Sequence, residues 1–319
     1  MAALQAQPAP SVTPPAAPPA GPGLLEWAQL AFLGMIWGGS FLAVEIALRA
    51  WSPLWIVAGR VSLAALFLLA VSFAKGIPLP KIAGRTGRRI WLHAVAMGFF
   101  SNALPFSLLS WAQKHVTSGF AGITMASVPL LILPLAHFLV PGERMSLRRL
   151  GGFLIGFVGV GVLIGPGIFT SAGSSLEGIA RIACLAAAAS YAIGSIVTRL
   201  TPPTPLPAFS AAALTAASVM IVPLALALEP LPDILAPGPA AAVLYLALLP
   251  TAIATLILVR LVHRAGPAFL SLVNYQVPVW ATLFGLVFLG EELPGRFVLA
   301  LALILAGLAL GQSRAPRPA

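Results

Sequence analysis

Arg60 is the most costly residue in this chain, a permanent cation inside an apolar run that covers residues 53–74. Insertion scales charge about 2.5–3.5 kcal/mol for such a side chain at a membrane-helix centre. Its chemistry is that of a planar, donor-rich cation: it binds anions or gates a path, with Glu45 towards the same side as a candidate partner. The bland alternative is a side chain that snorkels to the nearer interface. A second group of candidates is neutral. Asn274, Tyr275 and Gln276 lie just before Pro278, and Ser271, Asn274, Tyr275 and Pro278 share a broad helix face. Buried amides cost several kcal/mol unless bonded, so they serve as interhelix struts or as solute ligands. Asn102, Ser110 and Gln113 form a comparable stripe, interrupted by Pro105, and Trp37, Phe41 and Glu45 form another. A polar stripe facing a bundle interior suits a solute path, although serines often only bond their own helix.

Pro129 and Pro278 are each followed, at the same spacing, by a glutamate, Glu143 or Glu292. In the register that aligns them, Ala103/Ala252, Leu109/Leu258, Val128/Val277 and Ile155/Ile304 are identical, which indicates a duplicated half-protein. A proline inside a helix cannot donate to the ladder and frees the carbonyl four residues earlier, here Met125 and Asn274. Such prolines mark a hinge or a cavity wall, or a kink absorbed by packing. Ser127 beside Pro129 is the first repeat's candidate ligand. Glu45, Glu143 and Glu292 are candidates for gating or coupling; for the latter two the competing role is bonding backbone at a helix junction.

These residues need elements to hold them, and the composition names the solvent. The chain is 59% hydrophobic and 8% charged, against about 45–50% and about 25% in soluble domains. Ten apolar runs follow, at about 27–49, 53–74, 90–113, 118–140, 148–168, 178–199, 207–229, 240–262, 267–289 and 295–312. Most reach the ~20 residues that cross ~30 Å of hydrocarbon. They must be helical, because every backbone group has to be satisfied without water. Residues 1–26 read as a Pro/Ala-rich disordered tail without the basic start of a signal peptide. The repeats are expected at 27–168 and 178–312, with a short tail at 313–319. With the N-terminus cytoplasmic, thirteen Lys and Arg fall in inner segments and four in outer ones, with Arg60 inside a span. Five spans per half then invert the second repeat relative to the first. The expected fold is an all-α polytopic membrane protein, ten transmembrane helices in two inverted five-helix repeats. Inverted repeats with interrupted helices at equivalent places suit alternating access.

The order of these motifs resembles the EamA-type branch of the drug/metabolite transporter superfamily. Trp37-Gly38-Gly39-Ser40-Phe41 is similar to that family's tryptophan–glycine signature, and Ser52-Pro53 followed by Arg60 to its proline-then-arginine pattern. Pro129, Gly142-Glu143, Gly151-Gly152, Gly156 and Gly159-Val160-Gly161 continue the outline in the first half. Pro278, Gly290-Glu291-Glu292 and Gly307 repeat it in the second. The resemblance covers about 28–312. Family members often carry a lysine or arginine near the end of the first helix, where this chain has Glu45. The resemblance implies export of a metabolite or an amino acid.

Several classes are disfavoured. No phosphate-binding loop or soluble domain is available for ATP, so a solute, proton or sodium gradient must supply the energy. No serine-nucleophile elbow occurs, and Asp233 is the single aspartate, so an enzyme is not expected. The lone cysteine, Cys184, and the four scattered histidines show no metal-ligand spacing, and no cofactor is expected. The partners expected are a small-molecule solute, the lipid bilayer and a coupling proton or sodium ion, with a homodimer left open and nucleic acid not expected. The location expected is a bacterial inner membrane with both termini cytoplasmic. The alternatives are a non-transporting membrane partner or sensor and a membrane-embedded lipid-processing protein.

Overall fold

The computed structural model describes residues 22–140, 145–165 and 175–312, and the regular elements among them are all helical. Ten membrane helices follow one another: α1 (Leu24–Ala47), α2 (Pro53–Ala74), α3 (Gly84–Ala112), α4 (Ser118–Leu139) and α5 (Leu147–Ile164) in the first half. The second half holds α6 (Ser175–Arg199), α7 (Leu206–Leu228), α8 (Pro237–Gly266), α9 (Val273–Leu289) and α10 (Gly295–Gln312). Helices α1 to α8 are long and apolar enough to cross a bilayer, while α9 and α10 are shorter apolar helices. The shortness of α9 has a local cause. Gly266 adopts φ 83°, which a residue with a Cβ rarely takes, and a second break follows at 271–272. Large apolar side chains such as Leu66, Phe73, Phe138 and Phe288 face outwards, a surface that only lipid would cover at this scale.

The two halves run in opposite directions. Ser52 and the backbone N–H groups of Leu54 and Trp55, at the start of α2, all donate to the Glu229 carboxylate at the end of α7. The Trp51 indole donates to the Asp233 carbonyl at 3.0 Å. So the α1–α2 junction adjoins the α7–α8 junction rather than the α6–α7 junction that a parallel repeat would bring there. Packing obeys the same symmetry: α1 packs on α8 and α9, and α6 packs on α3 and α4, while α2–α7 and α5–α10 pair with their own counterparts.

The α5–α10 crossing brings two backbones into contact. A Cβ added at Gly152 would lie 2.4 Å from the Gly307 carbonyl oxygen, and one at Gly307 would lie 2.5 Å from the Gly152 carbonyl oxygen. Small residues permit this approach where the hydrophobic effect offers no drive between helices. The repeat register also shifts along the chain. A π-helical turn begins at Phe99 in α3 and another at Leu248 in α8, the same offset that separates Pro129 from Pro278. Helices α5 and α10 begin at Leu147 and Gly295, one residue short of that offset.

Candidate functional site

Arg60 lies in the interior, 8% exposed, about two turns into α2. Its Nε donates to Thr251 Oγ1 at 2.9 Å, and its guanidinium covers the Phe106 ring at 3.6 Å from the centroid. The Tyr191 and Tyr245 phenols are close enough to interact with its charge. It forms no ion pair with Glu45 or with any other carboxylate of the described residues. Three helices therefore bring neutral groups to one cation on a fourth: Phe106 from α3, Tyr191 from α6, and Tyr245 and Thr251 from α8.

The two π turns explain how the backbone tolerates this. A π turn shifts the ladder by one residue and leaves carbonyls without their usual donors. In α3 the Ser190 hydroxyl of α6 donates to the Phe100 carbonyl at 2.8 Å, and Ser107 to Ala103 at 2.7 Å. In α8 the Trp37 indole of α1 donates to the Pro250 carbonyl at 2.9 Å, and Thr255 to Thr251 at 2.7 Å. Each half thus lends its first helix to satisfy the other half's π turn. Tyr245 adds a bond to the Ile36 carbonyl at 3.0 Å, and Asn102 bonds the Met97 carbonyl at 3.3 Å within α3.

At the end of the bundle that carries the α1–α2 junction, a cavity of about 700 Å³ opens between α1, α3, α4, α6, α9 and α10. Glu45, Gln113, Arg181, Glu291, Glu292 and Arg296 are among its lining residues, so both signs of charge are present. The Gln113 amide donates to the Phe41 carbonyl at 2.8 Å, joining α3 to α1. Because that carbonyl only accepts, the amide nitrogen must face it. The Gln113 oxygen is then left buried and without a partner among the described residues, in a side chain 4% exposed. Arg181 bonds the Ile164 carbonyl and pairs with Glu177 on its own helix.

The glutamate that reaches a helix end is Glu291, not its neighbour Glu292. Its two oxygens accept from Ser118 N at 2.7 Å and Gly119 N at 2.9 Å, at the start of α4. A carboxylate there satisfies orphan N–H groups and meets the positive end of the helix dipole. Glu292 is exposed at the cavity wall, and Glu143 lies outside the described residues.

The proline helices differ. α4 breaks at 126–127, so Pro129 stands in the first turn of its second segment, where its missing N–H removes no ladder bond. Pro278 stands inside α9, and Thr282 donates to its carbonyl at 2.8 Å. Asn274 donates to the Ser271 carbonyl at 3.0 Å, across the break at 271–272, and Ser127 donates to the Thr124 carbonyl at 2.6 Å. Tyr275 is part-buried against the core, and Gln276 lies against α1 at Gly34.

Sequence reasoning did not single out Phe106, Tyr245 or Thr251, nor Glu291 as distinct from Glu292. The one signal for Thr251 was its neighbour Pro250 in the middle of an apolar run of the second half. No group of three or more His, Cys, Asp or Glu that could hold a metal ion occurs among the described residues.

The chain is similar to known proteins. Over 178 residues the chain is 33% identical to a WAT1-related chloroplastic protein of Arabidopsis thaliana, covering 55% of this chain and 41% of that one. Over 152 residues it is 26% identical to protein PagO of Salmonella typhimurium, covering 47% of each. The chain thus spans about half the length of these two relatives. A probable terminal-alkyne amino-acid exporter of Streptantibioticus cattleyicolor aligns over 89% of this chain and 92% of its own length, at 25% identity. A solved crystal structure shares the fold with a TM-score of 0.64 at 23% identity, covering 90% of this chain and 96% of that one. The model of the EamA-like transporter family matches twice, at residues 25–165 and 178–311. The chain belongs to the EamA-like transporter family.

Proposed function

We propose that this membrane transporter is a secondary exporter of a small organic metabolite or amino acid, working by alternating access and without ATP, in a bacterial inner membrane with both termini cytoplasmic. The observation that carries the reading is the pair of antiparallel five-helix halves, each repairing the other's π turn, around a cavity open at one end. If the two halves exchange conformations, that opening moves to the other end. An amino acid as cargo is supported by the exporter that aligns over nearly all of both chains.

On this reading Trp37, Arg60, Asn102, Ser127, Asn274, Tyr275 and Gln276 line the solute path. Pro129 and Pro278 sit at the moving breaks, and Glu45, Glu143 and Glu292 serve gating or coupling to a proton or sodium gradient. The test is flux of radiolabelled amino acids, nucleosides and sugars in proteoliposomes, with and without imposed pH and sodium gradients. Movement of one class above protein-free vesicles is the expected result. No movement of any class, together with no thermal protection by any compound, would remove the reading.

A further inference from the structure

The surroundings of Arg60 define more than a cation in the membrane. Of the guanidinium donors, Nε is taken by Thr251, and the planar face is taken by Phe106. The two Nη groups have no acceptor among the described residues, and neither is among the sealed, unpartnered polar atoms of the interior. By contrast the Arg181 Nε is sealed and its Nη groups are bonded. Arg60 therefore presents only one edge, the Nη1–Nη2 fork, and it presents it without a counter-charge.

We infer that this edge is the docking point for a carboxylate of the transported solute, bound end-on and bidentate. The fork of a guanidinium matches the two oxygens of a carboxylate in one plane. A carboxylate also brings one negative charge to one buried positive charge, which the surrounding neutral side chains do not supply. A phosphate monoester would bring up to two, leaving a net anion in the apolar interior. Thr251 is a positioning residue: it accepts from Nε while its own hydroxyl donates to the Leu246 carbonyl at 2.8 Å, a carbonyl exposed by the π turn of α8. Phe106, Ser110 and Gln113 are spaced four and three residues apart on α3, a stripe of about 10 Å that leads from the ring under the guanidinium to Gln113, a lining residue of the cavity.

This inference rests on the transporter reading and narrows its cargo to carboxylates. The experiment uses the full chain in proteoliposomes and in detergent, with a mixture of the twenty L-amino acids and with 3-phenylpropionate as probes. Their methyl esters and phenyl phosphate serve as comparisons. Wild type should carry, and be thermally protected by, one or more of the free acids, with the matching esters and the phosphate at least tenfold weaker. Arg60→Lys keeps the charge but loses the fork, and Arg60→Gln loses both. Each should erase the acid-over-ester preference, about ten- to hundredfold. Thr251→Val should cut the preference severalfold, and Thr251→Ser should restore it, which a purely structural role would not require. Esters carried as fast as the acids, or a folded Arg60→Lys protein with unchanged preference, would overturn the dock and leave the transporter standing. If no acid crosses or protects while a nucleoside or sugar does, the dock falls and the transporter stands; if none of these compounds does either, both fall.

Discussion

Helices α4 and α9 occupy equivalent places in the two halves, yet they break differently. In α4 the chain interrupts at 126–127, immediately before Pro129, so the proline opens a new segment at no cost to the ladder. Before α9 the interruption falls at 271–272, and Pro278 then sits within the helix. The first break is closed by small hydroxyls, Ser127 onto Thr124 and Thr124 onto Phe120. The second is closed by an amide, Asn274 onto Ser271, with Gln276 close by and packed against α1. A duplicated scaffold thus keeps its symmetry where backbones cross and gives it up where side chains face the interior.

The comparison can be broken most severely where the halves are alike. Gly152→Val or Gly307→Val pushes a side chain into the opposing backbone, and overpacking of this kind costs about 1–3 kcal/mol or more. Both variants should lose folded protein on detergent size exclusion, to similar extents. Gly161→Ala, with nothing within 4 Å of its new Cβ, should not. Normal folding of either valine variant would show that the two backbones do not meet at this crossing.

Glu291→Gln should come next. It removes the charge that caps α4, worth about 1–2 kcal/mol with its hydrogen bonds, whereas Glu292→Gln should leave thermal unfolding nearly unchanged. Equal shifts would mean that the carboxylate at the α4 start is not the one seen.

A third pair tests the exchange of struts between halves. Trp37→Phe and Ser190→Ala each strip one donor from a π-turn carbonyl, so each should lower thermal stability by about 1 kcal/mol. A much larger effect of Trp37→Phe on transport than on stability would move that indole from strut to solute contact.

The smallest effects distinguish the two breaks. Asn274→Ala should reduce flux more than Ser127→Ala, with both proteins inserted normally, and Glu26→Ala near the start of α1 should leave flux unchanged. If Ser127→Ala and Asn274→Ala reduce flux equally, the polar second half is not where the cargo is read.

How much of this was legible beforehand differs by level. The ten apolar runs follow from composition alone, because a bilayer leaves few backbone options and the spans must be helical. The duplication was legible in the proline spacing, and the opposed directions in the loop cations. The register was legible only in part. The π turns keep the proline offset, but α5 and α10 begin one residue out of step with it, and of the adjacent glutamates Glu291, not Glu292, caps α4. A one-residue slip in a loop leaves almost no trace in hydropathy. The π turns were hidden for a related reason: widening a helical turn by one residue barely disturbs an apolar pattern, and only Pro250 hinted at it.

The sequence by itself determined that this protein lives in a membrane, that it is built twice, and that it carries a cation its own span cannot neutralise. Those conclusions depend on transfer free energies and local spacing, which need no partner residues. Only the tertiary structure decided that Arg60 meets Thr251 and Phe106 instead of Glu45, and that Gln113 turns its nitrogen to Phe41. It also decided that Trp37 and Ser190 serve the opposite halves. Each of these is a contact between helices far apart in the chain, set by crossing geometry and close glycine approach, and no local pattern encodes it.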